Sequence, residues 1–251
     1  MTTPLRISIE NVSKRFGAQT VLDGVNLQIP QGQSLVIIGQ SGCGKSVLIK
    51  HMIRLLTPDS GSIVVDGEDV STIRSRNLPD FRRKFGMLFQ GSALFDSMSV
   101  FDNVALGLRE QRRHSEKEIR EIVLEKIEMV GLSDSENKGP AELSGGMRKR
   151  VGLARAIAHD PEVLLYDEPT TGLDPVTADV INDLIVELNQ KLHVTSVTVT
   201  HDMVSAFKIA ERIVMLDNGK VAFDGTPEEV ERTAHPQVKG FMISSGIRGK
   251  H

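Results

Sequence analysis

Apolar and polar residues change period along this chain, and the changes mark out its elements. Leu5 to Val12 alternates, with Ile7, Ile9 and Val12 in step, as a half-buried strand requires. Ser13 to Thr20 reads as a turn carrying Phe16, and Val21 to Ile29 as a second strand. Pro30-Gln31-Gly32 then turns the chain into Leu35-Val36-Ile37-Ile38. That unbroken apolar run predicts a strand covered on both faces. Helical spacing follows from Val47 to Leu56. After a turn at Pro58-Asp59-Ser60-Gly61, Ser62 to Asp66 predicts a strand, Asn77 to Lys84 a helix, and Phe85 to Phe89 a strand ending at Gln90.

The next stretch, to about His159, has no strand signal. Ser115-Glu116-Lys117-Glu118 is a capping box opening a helix with Ile119, Ile122, Val123, Ile127 and Val130 on one face, closed by Gly131. Ser144 starts a second helix from about Gly145 to His159. Strand signals return at Val163-Leu164-Leu165-Tyr166. Pro175 to Leu192 is a long amphipathic helix and Thr195 to Thr200 a strand; Asp202 caps a short helix. Arg212 to Asp217 and Lys220 to Phe223 form a hairpin around Asn218-Gly219, and Thr226-Pro227-Glu228-Glu229 is a second capping box. The pattern predicts an α/β fold: an antiparallel β subdomain, a parallel core and an inserted α-helical subdomain. Its expected boundaries are 1–90 for the first part of the core, 91–160 for the helical subdomain, 161–235 for the rest of the core and 236–251 for a C-terminal tail.

The strand–helix junction carries the first chemistry. Gly39-Gln40-Ser41-Gly42-Cys43-Gly44-Lys45-Ser46 matches GxxxxGK[ST], a phosphate-binding loop. Glycines let successive N–H groups turn inward, and the helix start adds partial positive charge. Lys45 is expected on the β- and γ-phosphates of a nucleotide and the Ser46 hydroxyl on Mg²⁺. Cys43, beside Lys45 at a helix start, is expected to have a lowered thiol pKa.

Composition narrows the choices. At 251 residues and 39% hydrophobic, the chain can bury a sizeable core. A net charge of -3 and 4% aromatics argue against nucleic acid as a partner. One cysteine excludes an internal disulfide and suits a reducing compartment. There is no signal-peptide pattern at Met1-Thr2-Thr3-Pro4-Leu5-Arg6 and no apolar run of membrane-spanning length, so any membrane role is expected to act through a partner.

Two further motifs stand out. Asp167-Glu168 ends a buried apolar strand. Such a pair can be a solvated turn, but downstream of a phosphate loop it predicts Asp167 near Mg²⁺ and Glu168 as general base for water. Leu143-Ser144-Gly145-Gly146-Met147 puts a hydroxyl and close backbone amides at a helix start. Alone it could be only an N-cap. Beside a chain that already holds a phosphate loop, it suggests a second anion site and two subunits per nucleotide.

These motifs, with Gln90 (Q-loop), Gly172-Leu173-Asp174 (D-loop) and His201 (switch histidine), fall in the order of the ATP-binding subunits of ABC transporters, which the chain resembles over about residues 5–235. The resemblance implies a P-loop NTPase (RecA-like) core and a head-to-tail homodimer. The phosphate loop of one subunit and Ser144, Gly145 and Gly146 of the other would clamp each ATP. Glu168, His201 and Gln90 would be catalytic; Ser46, Gln90 and Asp167 would serve the metal. Phe16, Gly39, Ser41, Gly42, Cys43, Gly44, Lys45, Ser46, Val47 and Asp174 would line the nucleotide site. Phe16 could stack on adenine, or be an ordinary core or turn residue. His201 could instead simply cap a strand. Two positions depart from the family pattern: Met147 replaces the usual Gln, and Val47 a frequent Thr.

Three stretches, Gly44 to Ile53, Met87 to Glu110 and Leu143 to Ala158, look like the ATPases of Mla-type phospholipid-transport systems. That resemblance implies a permease contact near Gln90 to Glu110, an MCE-domain substrate-binding protein, a small STAS-domain regulator, and a place on the cytoplasmic face of the inner membrane of a Gram-negative envelope. Alternatives are an importer ATPase for a polar solute and a soluble non-transport ABC ATPase. In the tail, Val238, Phe241, Met242, Ile243 and Ile247 are expected either to fray or to dock on a neighbouring subunit.

Overall fold

The computed structural model describes residues 4–246. Ile247 and the basic end after it lie outside those residues. Two compact units are present: Met1–Arg82 with His193–His251, and Arg83–Leu192.

The first unit begins with β1 (Leu5–Phe16), β2 (Gln19–Pro30), β3 (Ser34–Ile38), α1 (Lys45–Met52), β4 (Ser60–Val65), β5 (Glu68–Asp69) and α2 (Leu78–Arg82). The second holds β6 (Phe85–Leu88), α3 (Val100–Gln111), α4 (Glu116–Met129), α5 (Gly145–Ile157), β7 (Val163–Asp167) and α6 (Pro175–Leu192). The chain then returns to the first through β8 (Thr195–Thr200), α7 (Met203–Ile209), β9 (Arg212–Asp217), β10 (Lys220–Gly225), α8 (Pro227–Arg232) and α9 (Pro236–Ser244).

In the first unit, β1, β2, β4 and β5 form an antiparallel sheet in the order β2-β1-β4-β5. Alternation in β1 buries Ile7, Ile9 and Val12. The strand runs past Val12 to Phe16, four residues into the stretch predicted as a turn. Register shifts on either side of Val12 and Lys14 break the period, which hid this extension from the sequence pattern. Asp59 supports it by accepting from Lys14 Nζ at 2.8 Å and from the Arg15 amide at 2.7 Å.

The second sheet of this unit places β3 between β8 and β9, parallel to both, with β10 antiparallel at the edge of β9. Neighbours on each side and cover on each face explain the apolar run. Leu35, Val36, Ile37 and Ile38 are all fully buried. Each contributes about 1.5–3 kcal/mol by leaving water. Arg212 pins the hairpin, donating to both Asp224 oxygens and to the Gln28 carbonyl of β2. In α9, Val238, Phe241 and Met242 are buried against their own chain. These three are therefore not free to dock on a neighbour, which corrects the sequence expectation; Ile243 stays exposed.

In the second unit, β6 and β7 pair in parallel, Phe85 opposite Val163 and Leu88 opposite Tyr166. Helices α3, α4 and α5 pack together around Val104, Leu108, Ile119, Val123 and Ile127. The predicted capping box is formed: Ser115 accepts from the Glu118 amide while Glu118 accepts from the Ser115 amide. Gly131, at φ +67°, ends α4 in the left-handed conformation that favours glycine.

Candidate functional site

Each unit presents part of the expected machinery. In the first, the buried end of β3 delivers the chain into Gly39, whose φ is +152°. A Cβ there would fall 2.3 Å from the Leu216 carbonyl oxygen, so only glycine leaves the strand end this close to β9. Gly44, at φ +105°, is the N-cap of α1 and supplies no side-chain cap. The start of α1 carries the positive end of the helix.

Lys45 is buried, and its Nζ donates to the Gly39 carbonyl at 2.8 Å and the Gln40 carbonyl at 3.1 Å. The ammonium is thus held over the loop that its own backbone curls around. Ser41, Gly42, Ser46 and Val47 complete the turn and the first residues of α1. An open pocket of about 260 Å³ adjoins the loop, with Gln19, Val21, Ser41, Cys43 and Asp217 among its walls.

Cys43 departs from expectation. Burial pushes its thiol pKa up; Lys45 and its backbone amide pull the other way and lose, while Asp217 adds to the rise. The sequence rule weighed only the cation and the helix start. Its sulfur also lies where a Cβ on Gly39 would be, 2.7 Å away.

Phe16 ends β1 on the surface, 47% exposed, with Lys14 Nζ over its ring, 5.6 Å from the centre. It is not a core phenylalanine. His201 follows β8 and is exposed. Asp202 caps α7 by accepting from the Val204 and Ser205 amides.

In the second unit, Asp167 ends β7 and Glu168 follows it, both largely buried. Glu168 has φ +48°, the left-handed region, in a non-glycine residue. Such a conformation costs about 1–3 kcal/mol and persists only where surroundings enforce it. Thr171 helps: its hydroxyl donates to Glu168 Oε2 at 3.2 Å, and its amide to the Glu168 carbonyl at 3.3 Å.

Ser144 is the N-cap of α5, its Oγ accepting from the Met147 amide at 3.2 Å. The hydroxyl proton is still available for donation. Gly145 and Gly146 allow close packing onto their neighbours. A Cβ on Gly146 would fall 2.6 Å from Thr177 Cγ2, and one on Gly145 3.1 Å from Leu173 Cδ2. Asp174 caps α6, accepting from the Val176 and Thr177 amides at 3.1 Å each and from the Thr177 hydroxyl. The Thr177 contacts hold its carboxyl below the usual range.

Gln90 leaves β6 exposed, and the chain after it turns sharply. Ser92 and Ala93 both take positive φ, +62° and +46°. Buried Asn103 on α3 receives the Phe95 amide and donates to the Phe95, Met98 and Ser99 carbonyls. Phe95 itself points outward, 50% exposed. Asn103 was not singled out in the sequence; a polar residue on the apolar face of α3 was the available signal.

The geometry supplies a glycine-walled loop with a captive ammonium, a buried carboxylate pair at a strand end, and a second hydroxyl-and-amide helix start. The sequence model of the ABC transporter family matches residues 22–171, more than half of the chain. The chain belongs to the ABC transporter family. It is 41% identical over 242 residues to the probable ribonucleotide transport ATP-binding protein mkl of Mycobacterium leprae, covering 96% of this chain and 70% of that one. Identity is also 41%, over 236 residues, to the intermembrane phospholipid transport system ATP-binding protein MlaF of Haemophilus influenzae, covering 94% and 89%. A solved dimeric ATP-binding cassette in a post-hydrolysis state, bound to ADP and Pi, superposes with a TM-score of 0.80 at 34% identity, covering 88% of this chain and 98% of that one. The fold is thus that of the ABC ATPase cassette, a P-loop NTPase. As a member of this family the chain is an ATP-binding, ATP-hydrolysing subunit. No helix among the described residues is long and apolar enough to cross a membrane.

Proposed function

We propose that this ABC ATPase powers phospholipid trafficking between the inner and outer membranes of a Gram-negative envelope. The observation that carries the proposal is the 41% identity to MlaF across 94% of this chain and 89% of that protein. In this reading the ATPase works as a homodimer on the cytoplasmic face of the inner membrane, attached through permease subunits. Partners of the MCE-domain and STAS-domain kinds would complete the assembly. The outward Phe95, on a loop fixed by Asn103, supports a permease contact within Gln90 to Glu110.

The chemistry assigned to each residue follows from charge and position. Lys45 and the amides from Gly39 to Ser46, with Ser41, Gly42, Cys43, Gly44 and Val47, would hold phosphates. Phe16 would stack on adenine. Ser144, Gly145 and Gly146 of the second subunit would meet the same nucleotide, with Asp174 at the dimer interface. Glu168 would take a proton from water, and His201 would orient that water.

The donors assigned to Mg²⁺ are the Ser46 hydroxyl, the Gln90 amide oxygen and the Asp167 carboxylate. All are hard oxygen ligands, which suits that ion. Mg²⁺, when bound, would neutralise phosphate charge.

A second reading has its own support. The mkl relative is named for ribonucleotide transport, at the same identity. A polar-solute transporter would keep every ATPase residue and change the permease. Pull-down of the tagged chain from detergent-solubilised membranes separates the two. Recovery with MCE-domain and permease proteins, and with phospholipid in excess of control, is expected. Recovery with a polar-solute permease alone, or with no membrane protein, would overturn the lipid reading.

A further inference from the structure

A buried cation on α5 ties the two strand ends of the second unit together. Lys149 lies five positions after Ser144 and is only 4% exposed. Its Nζ donates to the carbonyl of Gln90, two residues after β6 ends, and at 3.2 Å to the carbonyl of Glu168, the residue after β7. A buried ammonium pays a large desolvation penalty, which here pulls its pKa below the ordinary lysine range against the opposing pull of Asp167 and Glu168. Such a group is retained only where its bonds are good, and bonds from a charged donor are about twice as strong as neutral ones.

The same face of α5 makes further contacts with the turn after Gln90. Gly152 lets it approach: a Cβ there would fall 2.6 Å from Leu88 Cδ1 and 3.4 Å from Ser92 Cβ. Arg155 then donates to the Ser92 and Ala93 carbonyls, each at 2.6 Å. Those two residues, like Glu168, hold left-handed backbone that is unfavourable without glycine. Two cations of α5, Lys149 and Arg155, therefore sit at the strained points after both strand ends.

We infer that Lys149 is a positioning residue for hydrolysis, fixing the backbone of Glu168 and Gln90 to the helix that begins at Ser144. Movement of that helix start would then shift the backbone that aims the Glu168 carboxylate. The inference rests on the roles proposed above for Glu168 and Gln90. It adds a residue that hydrogen-bonds to them through main-chain oxygens.

The test compares Lys149→Met, Lys149→Arg and wild type in the full-length chain, measuring ATP binding with a fluorescent analogue, thermal unfolding and steady-state ATPase. For Lys149→Met the expected result is ATP affinity and KM within about twofold of wild type and kcat at least tenfold lower, with Lys149→Arg recovering most of the loss. Lys149→Met in a Glu168→Gln, Gln90→Ala background is expected to change residual single-turnover hydrolysis by less than twofold, because a residue acting through Glu168 and Gln90 has nothing left to act on. A folded Lys149→Met protein with near wild-type kcat overturns the inference, as does a full multiplicative loss in the Glu168→Gln, Gln90→Ala background. If Lys149→Met does not fold, Lys149→Gln replaces it; equal kcat for Gln and Lys then rejects the role of the charge. Wild-type turnover by Glu168→Gln would instead overturn the proposed role of Glu168, a failure separable from that of Lys149.

Discussion

Cys43 shows how one residue's chemistry is decided by competition. Lys45 and the start of α1 favour a thiolate, yet burial outweighs them and Asp217 assists burial. An ordinary thiol near pKa 8.5 is only a few per cent ionised at pH 7, and this one is less so. Alkylation by iodoacetamide, followed by mass spectrometry, is therefore expected to be slower than for free cysteine at pH 7.5. Its rate should climb through pH 9 without a plateau. Asp217→Asn removes an opposing charge and should speed the reaction roughly twofold at fixed pH, since a partly exposed charge pair is worth about 0.5 kcal/mol. A plateau below pH 8.5 would mean that the cation and the helix start dominate after all.

At the scale of elements, two glycines make opposite predictions. Gly86 lies in β6, where an added Cβ would fall 2.1 Å from the Ala156 carbonyl of α5 and 2.7 Å from Leu164 of β7. Gly86→Ala is expected to lower unfolding free energy by about 1–3 kcal/mol, the usual effect of overpacking. Gly107 is exposed within α3 and has nothing within 4 Å of its would-be Cβ. Gly107→Ala should raise stability by about 0.8–1 kcal/mol through helix propensity alone. Urea unfolding of both variants checks the pair, and a stabilising Gly86→Ala would show that α5 can move away from β6. Elements with a clean period were legible in the sequence: α6 at Pro175–Leu192 and β8 at Thr195–Thr200 fall where the pattern put them. Caps at Ser115, Asp202 and Thr226 were legible because each is a local hydrogen bond. The end of β1 was not, because its bulges destroy the alternation. Lys149 and Arg155 were missed because their partners are distant backbone carbonyls, and Asn103 because its partners are backbone groups of the loop before α3; backbone groups leave no trace in side-chain identity. The candidate site divides in the same way. Its sequence motifs could be read directly, while the contacts that hold their backbone in place could not.

For the whole molecule, the proposed homodimer makes a prediction that a self-sufficient single subunit does not. Glu168→Gln is expected to bind ATP, slow turnover by about 10²–10⁴-fold, and accumulate as a dimer on a sizing column when ATP is present. Adding Ser144→Arg to that variant puts a bulky cation at the start of α5 and should leave ATP bound to a monomer. The decisive experiment mixes two inactive proteins. A Ser144→Arg subunit keeps its phosphate loop, and a Lys45→Ala subunit keeps its Ser144 helix start. If each ATP lies between one subunit's loop and the other's helix, a mixed dimer regains one intact site of two. Activity per mixed dimer should therefore return to roughly half of wild type if the sites turn over independently. If loop and helix start serve the same ATP within one chain, no pairing restores a site and the mixture stays as inactive as its parts. The recovered fraction also reports on cooperation: a value per mixed dimer well below a half would show that one intact site cannot fire without the other.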